Sequence, residues 1–161
     1  MLSGSEMKME SADTIDLHLL RLLQEDGRRS IASLAEEVGL SEAPTWRRVR
    51  RLESEGWITG YHAIVDRRKA GLDVLALVSV RFASHELEVA DRFAELVGAM
   101  PEGMSCHNVT GDVDYQMTVL TPDLESYERF TRKLRSIPGV VSIQSHLSLR
   151  EIKSSHRLPL G

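Results

Sequence analysis

Between Asp13 and Gly56 the apolar residues recur at helical spacing and are punctuated by caps and glycines. Ile15, Leu19, Leu22 and Leu23 form one stripe; Asp13 can cap its start and Gly27 can supply a left-handed residue after its end, which predicts a helix over about Thr14 to Asp26. Ser30 caps a second stripe of Ile31, Leu34, Ala35 and Val38, and Gly39 closes it. Ser41 is placed to cap a third helix that tolerates Pro44 in its first turn and runs to about Ser54 before Gly56. Two short helices joined by a tight Gly-containing turn are the signature of a helix-turn-helix. Trp57 to Val65 then alternates β-formers with small or polar residues, as a wing or linker strand would, and Asp66 to Gly71 is the expected domain boundary.

The period changes in the second half. Val74 to Phe82 reads as a strand, Glu86 to Met100 as a helix with Val89, Phe93, Leu96 and Val97 on one face, and Met104 to Thr110 as a strand. A turn at Gly111, Asp112 and Asp114 precedes a strand over Tyr115 to Leu120. Thr121 and Pro122 are the expected N-cap and first position of a helix carrying Leu124, Tyr127, Phe130 and Leu134, and Val140 to Leu149 is the last strand. The order βαββαβ predicts a ferredoxin-like domain. The expected class is therefore α+β: a disordered lead over 1–12, a winged helix-turn-helix over 13–65, a linker over 66–73, a ferredoxin-like domain over 74–153, and a tail over 154–161 that folds back on the second domain or stays loose.

Composition narrows the function. With 161 residues and 42% hydrophobic, the chain has material for real cores, which excludes disorder as its main state. Its longest strongly apolar run, Val74 to Val80, falls far below the roughly 20 residues of a membrane-spanning helix. The start, MLSGSEMKMESAD, does not read as a secretion signal. The single cysteine, Cys106, cannot form an internal disulfide, and His18, His62, His85, His107, His146 and His156 lack ligand spacing. No metal or cofactor is expected, and a cytoplasmic, reducing compartment is. Trp57, Tyr61, Phe82, Phe93 and Phe130 are expected in cores. Cys106 and His107 alternate across a strand and so cannot serve one another as nucleophile and base; a packed cysteine and a half-exposed histidine are expected, and no catalytic residue.

Against a net charge of -4, the run "SEAPTWRRVRRLESEGWI" places Arg47, Arg48, Arg50 and Arg51 within one helix. At about 3.6 residues per turn, Thr45, Val49 and Leu52 share the packed face, Ala43, Arg47, Arg50, Arg51 and Ser54 lie opposite, and Trp46 and Arg48 flank the packed face. Only Glu53 and Glu55 follow closely, so pairs within the helix do not fully neutralise the cluster. As the second helix of a helix-turn-helix, this element is expected to enter the major groove of double-stranded DNA. Glu42, Ala43, Trp46 and Arg47 are then candidates for base edges, with Arg47 suited to guanine, while Arg50, Arg51 and Ser41 are candidates for phosphates and Arg48 for a flanking contact.

The stretches "DTIDLHLLRLLQEDGRRSIASLAEEVGLSEAPTWRRVRRLESEGWITGYHAIVD" and "CHNVTGDVDYQMTVLTPDLESYERFTRKLRSIPGVVSIQSHLSLREIK" resemble, in order and over nearly the whole chain, the Lrp/AsnC family of transcription regulators. The resemblance implies a homodimer that assembles further, up to an octamer, and a small effector, usually an amino acid, held between dimers. The implied effector region is Asn108, Gly111, Asp112, Asp114 and Tyr115, with Leu124, Leu147, Ser148 and Leu149 as neighbours. An amino acid needs an acceptor for its ammonium group, which Asp112 or Asp114 could supply, and donors for its carboxylate, which turn amides could supply. Two other readings stay open at this level: a tetrapyrrole-binding enzyme resembling sirohaem decarboxylases, against which the arginine helix speaks, and a DNA-architectural protein without an effector.

Overall fold

A computed structural model describes residues 12–83 and 87–160, Leu87 by its backbone alone. Of the lead expected over 1–12 all but Ala12 lies outside the described residues, as do the expected helix start at Glu86 and the last tail residue. The chain divides into two compact units, Met1–Ile64 with Ser154–Gly161, and Val65–Lys153.

The first unit holds three helices, α1 Thr14–Glu25, α2 Ile31–Val38 and α3 Glu42–Ser54. Asp13 and Asp16 start α1 with a reciprocal capping box, and Ser30 accepts from the amide of Ser33 to start α2. Gly39 ends α2 at φ +67 in the left-handed region, where only glycine is unstrained. Leu19, Leu20, Leu22, Leu34, Val49 and Leu52 form the core, and the buried Thr45 donates its hydroxyl to the carbonyl of Ser41 at 3.0 Å.

The first unit departs from the sequence pattern at several places. Helix α1 ends one residue early at Glu25, with an extended Asp26 as its C-cap. Gly27 is not left-handed; its missing side chain makes room for Tyr61, whose Cδ1 would lie 2.9 Å from an added Cβ. Tyr61 itself is half-exposed, against the expectation of a core position, and donates to Glu53 Oε1 at 3.1 Å. Ser41 occupies the N-cap of α3 without a side-chain cap bond. Trp57 to Val65 forms no strand, because among the described residues nothing pairs with it, and a lone extended segment has no ladder to hold it. Trp57 and Ile58 pack on the helical core, and the Ile58 amide donates to Leu52 O.

The tail takes neither expected course. The Gln24 side chain donates to Leu158 O at 3.3 Å and accepts from Leu158 N at 2.5 Å, and Leu160 packs against the core of the first unit.

The second unit opens with a turn, in which the Asp66 carboxylate accepts from the amides of Arg68 and Lys69 and Arg67 donates to the carbonyls of Leu72 and Asp73. The residues expected as linker thus begin this unit as an ordered turn. Then follow β1 Val74–Phe82, α4 Leu87–Gly98, β2 Gly103–Asn108, β3 Tyr115–Thr121, α5 Leu124–Arg135 and β4 Val140–Leu147. The sheet order is β2-β3-β1-β4 with every neighbour antiparallel, which is the ferredoxin-like arrangement. Ala76, Val78, Val80, Phe82, Met117 and Val119 point from the sheet into a core with Phe93, Val97, Phe130 and Leu134 of the helices.

The N-cap of α5 is Asp123, which accepts from the Ser126 amide, and not Thr121. Thr121 instead completes the buried face of β3, and its hydroxyl donates to Asp123 O. Strand β4 ends at Leu147: Ser148 adds one more bond, to Leu75 O at 2.9 Å, while Leu149 is 96% exposed. Cys106 and His107 are both exposed, because the strand that carries them, β2, is a sheet edge.

Candidate DNA-facing helix and effector turn

Helix α3 buries Thr45, Val49 and Leu52 as the wheel requires, leaving Ser41, Glu42, Ala43, Trp46, Arg47, Arg50 and Arg51 exposed and Arg48 half-buried. The charge of the cluster is distributed differently from the expectation. Arg48 Nη1 lies 2.7 Å from Asp13 Oδ2 and 2.9 Å from Asp16 Oδ1, and Arg51 Nη2 bonds Asp16 Oδ2. For Arg48 and Arg51 the nearest carboxylates come from the start of α1. Arg51 also stands 4.0 Å from Glu55, and Arg50 pairs with Glu53 at 3.1 Å while its guanidinium lies 5.7 Å from the centre of the Trp46 ring. Of the four arginines, Arg47 alone makes no ion pair among the described residues.

Asp16 is fully buried, and one of its oxygens also accepts from the Asp13 amide at 3.1 Å. The backbone amide of Asp16, followed by the Arg48 guanidinium, holds the Asp13 carboxyl below its ordinary value. The bonds to Asp13 and Asp16 in turn push Arg48 up. Asp16 was missed in the sequence because its partners lie 32 and 35 residues away. The available signal was a pair of acids three apart at a helix start, of which one already served as cap.

In the second unit, Gly111 takes φ +121 at the turn between β2 and β3, and Asp112 is exposed beside it. Asp114 is stitched into the sheet: its carboxylate accepts from the Phe82 amide at 2.7 Å, its amide donates to Val80 O, and its carbonyl accepts from Val109 N and from the Asn108 side chain. The Phe82 bond forms where the β1–β4 register shifts between Arg81 and Phe82. Tyr115 turns its ring inward, 4.5 Å from Phe93, and burial pushes its phenol up.

The turn residues Asn108, Gly111, Asp112, Asp114 and Tyr115 form one group. Leu124, Leu147, Ser148 and Leu149 form another. Tyr115 pairs with Val80, whereas Val119 and Leu147 both pair with Ala76, so the two groups lie at opposite ends of the strands. The seven residues of β3 separate them by about 20 Å at roughly 3.4 Å per residue. One copy of the chain does not bring them together.

Among the described residues no cluster of three His, Cys, Asp or Glu could hold a metal ion, and no helix is long and apolar enough to cross a membrane. Residues 13–59 match the family profile of winged helix-turn-helix DNA-binding domains, and residues 75–158 match that of the Lrp/AsnC ligand binding domain. The Bkd operon transcriptional regulator of Pseudomonas aeruginosa is 42% identical over 153 residues, 94% of this chain and 100% of that protein. The crystal structure of an AsnC family transcriptional regulator from Agrobacterium tumefaciens matches with a TM-score of 0.88 at 37% identity, covering 92% of this chain and 97% of the other. That of a transcriptional regulator from Neisseria meningitidis in complex with L-Met gives 0.87 at 34% identity, over 92% and 96%. A helix-turn-helix with an arginine-bearing second helix, a ferredoxin-like partner unit and full-length relatives that regulate transcription converge on one conclusion: the chain belongs to the Lrp/AsnC family of DNA-binding transcription regulators.

Proposed function

We propose that the chain regulates transcription in the cytoplasm as a homo-oligomer, reading DNA with the exposed arc of α3 and responding to an amino acid, with no reaction of its own. The observation that carries the DNA reading is Arg47: exposed, without an ion pair among the described residues, and on the second helix of a helix-turn-helix. It is the residue assigned to guanine, with Ser41, Glu42, Ala43, Trp46 and Arg50 around it on the same exposed surface.

Both helices of the second unit pack on one face of its sheet, and the other face carries Leu77, which is 44% exposed, with no element of that unit over it among the described residues. A second copy is proposed to cover it, and further copies to bring the turn of one chain near the Leu124, Leu147 and Leu149 end of another. Asp112 is the acceptor assigned to the effector's ammonium group. An amino acid is the proposed class because the Neisseria regulator was crystallised with L-Met. An effector bound between copies shifts assembly, and with it DNA affinity, by linkage alone.

The test uses a DNA duplex selected by the protein from a random-sequence pool. Arg47→Ala should weaken binding by about 1–3 kcal/mol, roughly fivefold to 150-fold, with the oligomer intact. Unchanged affinity refutes the assignment. Thermal melting with each of the twenty amino acids tests the effector, since a ligand at about 100 times its dissociation constant adds roughly 2.7 kcal/mol of stability.

A further inference from the structure

The arginine cluster is divided by a carboxylate that belongs to another helix. Both oxygens of Asp16 are occupied, Oδ1 by Arg48 and Oδ2 by Arg51 together with the Asp13 amide, and the residue is fully buried. Arg48 is held a second time by Asp13. Arg48 and Arg51 reach the start of α1, whereas Arg47, about 40° from Arg51 on the wheel of α3, makes no ion pair among the described residues. Arg50 has only an exposed partner, Glu53, one helical turn away.

These two kinds of pairing differ in what DNA can do to them. An exposed pair is weak and screened, so a phosphate can replace Glu53 at Arg50 with little loss. A buried carboxylate stripped of its cation is strongly unfavourable, so a phosphate cannot draw Arg51 or Arg48 away without leaving charge uncompensated inside the unit. We propose that Asp16 is a positioning residue for DNA readout: it fixes α3 through Arg48 and Arg51, withdraws both from the phosphates, and leaves Arg47 and Arg50 to meet DNA. The inference rests on α3 being the recognition helix. Its consequence is selectivity, because fewer free cations mean weaker sequence-independent binding for a given set of base contacts.

The experiment measures binding of the full-length protein to the selected duplex and to an unrelated duplex of equal length, across a salt series. Wild type is compared with Asp16→Asn, Arg51→Gln and Arg47→Gln. Asp16→Asn keeps an acceptor for the Asp13 amide and removes the charge. It should steepen the salt slope by about 0.9 for each arginine released to a phosphate, raise affinity for the unrelated duplex several-fold, and narrow the preference for the selected one by about tenfold. Arg51→Gln should leave the slope unchanged, while Arg47→Gln should lower the preference. If Asp16→Asn weakens both duplexes equally at an unchanged slope, Asp16 is a structural residue only and the proposal fails. It fails equally if Arg51→Gln flattens the slope by about 0.9, since Arg51 then touches phosphate. Should Asp16→Asn not fold, the Arg51→Gln arm decides alone. Preference lost in none of the α3 variants, Arg47→Gln included, overturns the recognition-helix reading itself and takes this inference with it.

Discussion

Asp112 and Asp114 stand two residues apart in the same turn, and both are candidate acceptors for an amino acid, but replacing each by alanine should have opposite consequences. Asp114 gives its carboxylate to the Phe82 amide at 2.7 Å, and Phe82 is only 7% exposed. Asp114→Ala removes a charge-assisted bond and leaves that amide without this acceptor at a break in the strand register, a loss of about 1.5–3 kcal/mol. With a urea slope of about 2 kcal/mol per molar, the unfolding midpoint of the second unit should fall by roughly 1 M. Asp112 is exposed and Asp112→Ala should stay within about 0.5 kcal/mol of wild type. Asp114→Asn, which retains an acceptor, should recover most of the loss. Urea titrations followed by far-ultraviolet dichroism measure all three. An Asp114→Ala variant as stable as Asp112→Ala would refute the view of Asp114 as a fastening of the sheet, and would return it to the candidates for the effector's ammonium group. If the reasoning holds, only Asp112→Ala reports cleanly on effector binding, by abolishing a ligand-induced melting shift in a protein of unchanged stability.

Gly139 sits at φ +88, and an added Cβ would stand 2.6 Å from Val89 Cγ1 and 2.9 Å from Phe82 Cδ1. Gly139→Ala should therefore cost about 2–5 kcal/mol, from left-handed strain of roughly 1–2 and crowding of roughly 1–3, and a midpoint within error of wild type in urea would contradict this. Tyr61 is pushed from 10.0 up to about 12 by burial first and by the Glu53 carboxylate second. Because the folded value is the higher one, its contribution is present below pH 10 and is lost as pH rises toward 12. Wild type should lose stability relative to Tyr61→Phe across that window, and parallel curves for the two would exclude it.

Much of the architecture was legible because it is written locally. Stripes at helical spacing and side-chain caps mark the starts of α1 and α2, a nearly continuous apolar run marks β1 and alternation marks β3. The misplacements share a cause in distant partners. Gly27 carries every mark of a left-handed helix end, yet its backbone is not left-handed and its missing side chain serves a close approach by Tyr61, far along the chain. Thr121 followed by Pro122 reads as a cap, but the buried face of β3 claims Thr121 first. Trp57 to Val65 has the composition of a strand and, among the described residues, no neighbour to pair with. The candidate sites follow the same rule. Which residues of α3 face outward follows from its period, but the engagement of Arg48 and Arg51 by Asp16 depends on how two helices pack. The residues expected around an effector were individually identifiable, and their separation along β3 emerges only from the strand register.

The return of the tail to the helical unit changes what kind of link joins the two halves of the chain. The second unit is an insertion between Ile64 and Ser154, so the polypeptide leaves the first unit once and re-enters it once. The first unit is thus closed from two separate stretches of the chain, the second of them fastened at Gln24 and seated through Leu160. Gln24 stands in the last turn of α1, and α1 is the helix whose other end grips the arginines of α3, so one helix holds both the returning tail and the candidate DNA-facing surface.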